Sequence, residues 1–385
     1  MTSLLRSIIW VLRLGVELTS RSVLLIYFLL VYFIVEKPRW RSVASHQVHL
    51  GTGQRTGLWC IFAIAQGRRI SQNLIAFLSC LKATGYNVIL VNNGRLSPSL
   101  ISSFLPHCHS VIERPHGGRD FGGYKWGTNV LLNMQHENNE IAQVIYCNDS
   151  NFIRPSHFKW LLDNLKQMDE DYIGVTDSFD PSYHVQSWFF VTSGELFRSP
   201  AFQRYWQGYT PLSYRPHCIK KGEIGISAYL SKQGYSPRPL YTQAQILDLI
   251  ARGTVAEAVG RTIFGLNPDY YRNVAATMQG MASSAGAESD IALSFLKRDL
   301  METIGLSNTM NTTNLILLKY TGFPFLKKDL VYRGNYLFSQ IEIATADWAG
   351  EDADHLPEIF AYFRARGTLR GQRSPAAILA RMGLV

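Results

Sequence analysis

Residues 58–65 read Leu-Trp-Cys-Ile-Phe-Ala-Ile-Ala. The run is apolar almost throughout and shows no alternation, the pattern of a strand buried on both faces. A strand of that kind needs a layer above it and a layer below. The flanking sequence supplies them. Residues 71–84 place Leu74, Phe77, Leu78 and Leu81 at helical spacing, and residues 87–91 form a second strand ending in the turn signal Asn92-Asn93-Gly94. Further on, helices at 100–105, 121–134 and 158–168 are interleaved with strands at 110–113, 143–147, 172–176 and 185–191. Repeated βα alternation predicts an α/β fold: a mostly parallel sheet with helices on both faces.

In such a sheet, ligands bind beyond the carboxyl ends of the strands. That rule selects Gln66-Gly67-Arg68-Arg69, the loop 116–123, the loop 148–151 and Asp177-Ser178. The loop 116–123 reads His-Gly-Gly-Arg-Asp-Phe-Gly-Gly and opens a helix. Its glycines, Gly118 among them, permit close backbone approach, and a helix N-terminus favours an anion such as a diphosphate. Arg119 offers a planar five-donor fork to phosphate, and Asp120 can accept hydrogen bonds from a ribose or base. The plainer reading makes Asp120 a helix N-cap in a Gly-rich turn.

Asn148-Asp149-Ser150 ends the strand 143–147. A carboxylate there can hold a divalent cation against a diphosphate, with Asn148 and Ser150 adding neutral oxygens and Asp149 alone adding charge. The alternative is a polar turn. In 184–190, strict alternation would put His184, Gln186 and Trp188 on one face, an arrangement suited to a sugar ring; a core strand with a satisfied histidine fits equally. Glu223 opens another helix. It is either a general base for an acceptor hydroxyl or a carboxylate favoured by the helix dipole. No phosphate-binding P-loop, Gly-x-Ser-x-Gly elbow or His-Glu-x-x-His motif occurs, which removes support from kinase and hydrolase readings.

The net charge of +9 is concentrated at the ends. Residues 1–41 hold six Lys/Arg and two acids, residues 364–385 hold five Arg and no acid, and the remainder balances 27 basic against 27 acidic residues. Basic ends around a neutral body suit an anionic membrane surface better than a nucleic acid, so no nucleic-acid partner is expected. Arg-rich tails that only aid solubility are the bland alternative. Residues 4–18 read as an amphipathic helix, with Arg6, Arg13, Glu17 and Arg21 near one stripe and Trp10 in a largely apolar segment. The unbroken apolar run 23–35, about 13 residues, is shorter than the roughly 20 of a spanning helix. A monotopic anchor in residues 1–41 is therefore expected, ahead of a buried helix or a cleaved signal. The five cysteines form no Cys-x-x-Cys pair and no metal cluster with histidine, which suits a reducing cytoplasm. From about residue 245 helical patterns dominate, broken by a small-residue loop at 282–287. Three regions follow: 1–41, 55–244 and a mainly helical 245–385 with a basic tail.

Taken in order, Gly118-Arg119-Asp120-Phe121-Gly122-Gly123-Tyr124-Lys125, Asn148-Asp149-Ser150, His184-Val185-Gln186-Ser187-Trp188-Phe189, Gly222-Glu223-Ile224-Gly225 and Gly322-Phe323-Pro324-Phe325-Leu326-Lys327-Lys328-Asp329-Leu330 resemble the rhamnan synthesis protein F family of bacterial cell-surface polysaccharide glycosyltransferases. The resemblance runs from about Leu58 to about Tyr336. It implies a GT-A-like nucleotide-sugar domain and transfer of a sugar, rhamnose by the family's name, to a lipid-linked or growing saccharide at the cytoplasmic face of the plasma membrane. Gly118, Arg119, Asp120, Asn148, Asp149 and Ser150 would hold the donor, and His184, Gln186 and Trp188 the acceptor side. Glu223, followed by a helix and Gly234, resembles the acceptor-side segment of inverting transferases, which implies a base and a single displacement. That fold usually carries Asp-x-Asp where this chain has Asn148-Asp149-Ser150, so the implied Mg or Mn ion rests on Asp149 alone. The rival reading is a non-catalytic, membrane-associated saccharide-binding or scaffold protein with a degenerate transferase fold.

Overall fold

A computed structural model of the protein describes residues 3–40, 47–54, 56–65, 70–114, 117–134, 141–252 and 307–369, with residues 294–295, 297–299, 301–302, 304–305, 372 and 374. The loop Gln66-Gly67-Arg68-Arg69, His116, the 282–287 loop, and Arg370, Arg373 and Arg381 lie outside the described residues.

The strands are β1 (Gln47–Leu50), β2 (Leu58–Ile64), β3 (Asn87–Asn92), β4 (Ser110–Glu113), β5 (Gln143–Asn148), β6 (Asn151–Ile153), β7 (Tyr172–Ser178), β8 (His184–Val185), β9 (Phe189–Ser193), β10 (Arg238–Tyr241) and β11 (Phe325–Lys327). The main sheet has the order β1-β4-β3-β2-β5-β9-β7-β10, with β8 alongside β7. β2, β3, β4, β5, β7 and β10 run one way; β1, β8 and β9 run against them. The sheet is mostly parallel, as the alternation predicts.

β2 sits inside it with both faces covered. Cys60, Phe62 and Ile64 pack with Leu74, Phe77, Leu78 and Leu81 of the helix Gln72–Ala83 and with Phe158, Leu161, Leu162 and Leu165 of the helix Pro155–Leu165. Trp59, Ile61 and Ala63 point the other way, onto Phe121, Tyr124 and Leu131 of the helix Arg119–Met134. That helix lies close to the strand because it presents glycines: a Cβ on Gly123 would stand 2.8 Å from the Ala63 Cβ, and one on Gly127 would collide with Ile61. Gly123 and Gly127 therefore serve helix–strand packing, while Gly122 lies against the Arg114 guanidinium and the Gly117 carbonyl.

Three sequence expectations are corrected. Residues 185–191 do not form one strand. Gln186, Ser187 and Trp188 separate β8 from β9: the Ser187 N–H is taken by the Glu223 carboxylate and its carbonyl by the Tyr124 hydroxyl, which interrupts the ladder at that residue, while the Gln186 N–H still donates to the Thr176 carbonyl. Both short strands are antiparallel to β7, since the few residues between Ser178 and His184 are too few for a crossover. The two N-terminal segments are one helix, Ser3–Val31, continuing through a π turn at Tyr32–Glu36 into Lys37–Trp40. Its window Leu18–Val35, 18 residues of mean hydropathy 2.0, is long and apolar enough to cross a membrane.

Two further features place the site. Leu24, Phe28, Leu29 and Tyr32 of the N-terminal helix pack on Leu212 and Tyr214, the Phe28 and Tyr214 rings stacked at 5.8 Å, and the Tyr214 hydroxyl donates to the Arg21 carbonyl over 3.1 Å. In the C-terminal region, β11 pairs antiparallel with β6, setting Lys327 opposite Asn151. Trp188, Phe189 and Phe325 share one aromatic cluster, so residues 323–325 are built into the core of the sheet.

Candidate functional site

The carboxyl ends of β5 and β7, the start of the helix Arg119–Met134 and the segment around β11 enclose a cleft of about 520 Å³. Its wall includes Arg119, Asp120, Asn148, Ser150, Gln186, Trp188 and Glu223 from the sequence-based set, together with Arg215, Lys327 and Arg333.

The Gly118-Arg119 turn is held from several sides. Gly118 has φ +94° and Arg119 has φ +51°, the latter the non-glycine left-handed residue among the described residues. The Gly118 N–H donates to the Ser213 hydroxyl over 2.8 Å, and the Asn93 amide donates to the Arg119 carbonyl over 2.9 Å. Beneath the turn, the fully buried Arg114 donates to the Gly117 carbonyl over 2.8 Å and to the Asn93 side chain. Strain at Arg119 thus persists because surrounding bonds over-determine it.

Asp120 is not an N-cap. It lies in the first turn of the helix, and its carboxylate accepts the Asn148 side-chain amide over 2.7 Å. Burial pushes the Asp120 carboxyl above its ordinary range, partly offset by Arg119 and by the Asn148 bond. Asn148 also caps its own turn, accepting the Ser150 N–H over 3.0 Å. The two donor motifs read from the sequence therefore meet through a direct bond. Asp149 does not line the cleft; it sits in the turn after β5, in the field of the buried Lys328 ammonium.

Glu223 lines the cleft. Its Oε2 accepts the Ser187 N–H over 3.0 Å and the Ser187 hydroxyl over 2.7 Å, and its Oε1 lies 3.2 Å from Nε2 of His184. Burial works to raise the carboxyl, but His184 and Ser187 outweigh it and bring it down to about 2. Burial works to lower the His184 imidazole, and the Glu223 carboxylate outweighs that in turn, leaving it raised. The Nδ1 atom of His184 lies 2.7 Å from the Ser182 carbonyl.

His184, Gln186 and Trp188 do not share one exposed face. His184 is buried, with its Nε2 turned to the Glu223 carboxylate. Gln186 lines the cleft and donates to the Asn308 side chain over 3.1 Å, its own oxygen accepting from Thr176 over 2.9 Å. Trp188 reaches the wall but packs its ring against Phe325 at 4.7 Å and donates its indole N–H to Thr176.

Arg215, Lys327 and Arg333 were not read from the sequence as site residues. Arg215 lies in a segment with no run of its own, and the other two come from a region that only β11 folds back onto the sheet. Among the described residues, no three of His, Cys, Asp and Glu gather to hold a metal ion. Four cations (Arg119, Arg215, Lys327 and Arg333) and four carboxylates (Asp120, Asp180, Glu223 and Asp329) line the cleft, and Asn148 holds one of the carboxylates, Asp120.

Residues 88–246 match the family model of rhamnan synthesis protein F. The match spans β3 to β10 and includes Asp120, Asn148 and Glu223; it supports the resemblance read from the motifs and points to a role in polysaccharide synthesis. The chain is also 25% identical over 191 residues to an uncharacterized protein, y4gN, of Sinorhizobium fredii, covering 49% of this chain and 49% of that protein. The chain thus spans about half the length of the curated relative it matches.

Proposed function

We propose that the protein is a glycosyltransferase of GT-A-like architecture, moving a sugar from a nucleotide-sugar to a lipid-linked or growing saccharide at the cytoplasmic face of a membrane. The observation that carries this reading is the bond from Asn148 to Asp120 in the same cleft as Glu223. It joins a strand end and a helix start into one polar wall, with a carboxylate free of protons at neutral pH across from it. Asp120, Asn148 and Arg119 bind the donor. Glu223, oriented by His184 and Ser187, takes the acceptor side with Gln186. In the transfer step the acceptor oxygen bonds to the anomeric carbon as the bond to the diphosphate oxygen breaks. The diphosphate leaves with that electron pair, and the hydroxyl proton passes to Glu223, with inversion. The apolar helix Leu18–Val35 supports a membrane location, and the exposed Val23, Ile26, Tyr27, Leu30 and Ile34 give it a face for lipid.

The experiment is Glu223→Gln. Donor binding should persist while transfer falls by two or more orders of magnitude; full transfer by the variant rejects Glu223 as the base. One observation favours a non-catalytic saccharide-binding protein instead: Glu223 is depressed to about 2 and both its oxygens already have partners, which makes a weak base. Donor binding with no transfer to any membrane-extracted acceptor supports that second reading.

A further inference from the structure

Four cations, Arg119, Arg215, Lys327 and Arg333, line the cleft. The last three come from two parts of the chain. Arg215 follows the segment on which the N-terminal helix packs, Lys327 ends β11, and Arg333 lies past the next turn. We propose that Arg215, Lys327 and Arg333 take the place of a divalent cation and hold the diphosphate of the donor. This rests on the nucleotide-sugar reading of the cleft.

The arrangement is built, not incidental. The Lys327 ammonium donates to the Asn311 side chain over 2.5 Å, and the Arg333 Nε donates to Asp329 over 3.0 Å. Asp329 is shared with Arg366, 2.9 Å away, and Asp120, Asp180 and Glu223 line the same cleft. Glu223 is committed to His184 and Ser187. The cations also oppose one another. Burial, with Arg333 and Arg215 adding to it against the pull of Asp329 and Glu223, lowers the Lys327 ammonium to about 8. Burial lowers Arg215 as well, with Arg333 and Arg119 adding to it against Asp329 and Glu223. Like charges held together in a cleft raise the potential that a polyanion would relieve, and guanidinium forks match phosphate oxygens. On bond cleavage the leaving diphosphate gains negative charge, which these residues stabilise electrostatically.

The test is calorimetry on the full chain with inorganic pyrophosphate and with UDP, GDP and dTDP, each in EDTA and in Mn²⁺. Pyrophosphate and at least one nucleoside diphosphate should bind in EDTA, with less than a twofold change on adding Mn²⁺. Arg215→Gln and Arg333→Gln should each weaken both ligands tenfold or more, at unchanged melting temperature. Lys327→Arg should lose the proton uptake that accompanies pyrophosphate binding near pH 8 in the unsubstituted protein. A tenfold gain from Mn²⁺, or unaltered pyrophosphate binding in both Gln variants, overturns the proposal. Metal-dependent nucleotide-sugar binding indifferent to the three cations sinks this inference and leaves the transferase reading. Metal-free pyrophosphate binding with no nucleotide-sugar binding sinks the donor reading and leaves the anion site.

Discussion

The Asn148 side-chain amide donates to the Asp120 carboxylate over 2.7 Å, joining the end of β5 to the first turn of the helix Arg119–Met134. Neither residue has that role in a turn or a cap considered alone. Together they form one polar wall whose geometry depends on both.

Removing the amide should therefore damage the wall as a unit. Asn148→Ala leaves a carboxylate that burial already pushes above its ordinary range without its donor, at a cost of about 1–3 kcal/mol. Denaturant unfolding should show that loss, and donor affinity should fall tenfold or more. Unchanged affinity would mean that the donor does not touch this wall.

The His184–Glu223 pair predicts a stability plateau. Glu223 is held near 2 against an ordinary 4.5, so its contribution is present above about pH 4.5 and is lost as pH falls towards 2. His184 is raised above its ordinary 6.5, so its contribution is full below about 6.5 and is lost as pH rises through the folded value. Urea unfolding across pH should show maximal stability between about 4.5 and 6.5 from this pair. His184→Gln should flatten the decline on the alkaline side; an unaltered profile would remove the pair from the account.

Gly127→Ala tests the packing role of the helix glycines. The added methyl meets Ile61 across the helix–strand contact. Overpacking of this kind costs about 1–3 kcal/mol, visible as a lowered melting temperature. A variant as stable as the parent would show that the helix can shift away from β2.

Deleting residues 1–41 uncovers Leu212 and Tyr214, which the N-terminal helix covers. Pro211 of the same segment stands against Gly118, and Ser213 accepts the Gly118 N–H. The truncated protein should leave carbonate-washed membranes and also bind donor several-fold more weakly. Retention in the membrane fraction would contradict the anchor, and full donor affinity would separate the anchor from the cleft.

Much of the sheet was legible because its strands are long and apolar on both faces. β2, β3, β5 and β7 announce themselves, and Leu74, Phe77, Leu78 and Leu81 fall inward as helical spacing requires. β1, β6, β10 and β11 escape because three or four residues carry no periodicity, and β10 even contains Pro239, which an edge strand tolerates. The break at Gln186-Ser187-Trp188 was hidden for another reason: it is set by Glu223 and Tyr124, tertiary partners that local alternation does not report. Asp120 and Asn148 could be found by the strand-end rule, and Glu223 by its place at the opening of a helix. Arg215, Lys327 and Arg333 could not, because only the pairing of β11 with β6 and the return of the chain bring them to the cleft.

The central claim is that this cleft binds a nucleotide-sugar. Calorimetry with a panel of nucleotide-sugars, each with EDTA, Mg²⁺ and Mn²⁺, tests it directly. The account predicts saturable binding of at least one donor, weakened tenfold or more by Asp120→Ala. Absence of heat from every donor under all three conditions would contradict it.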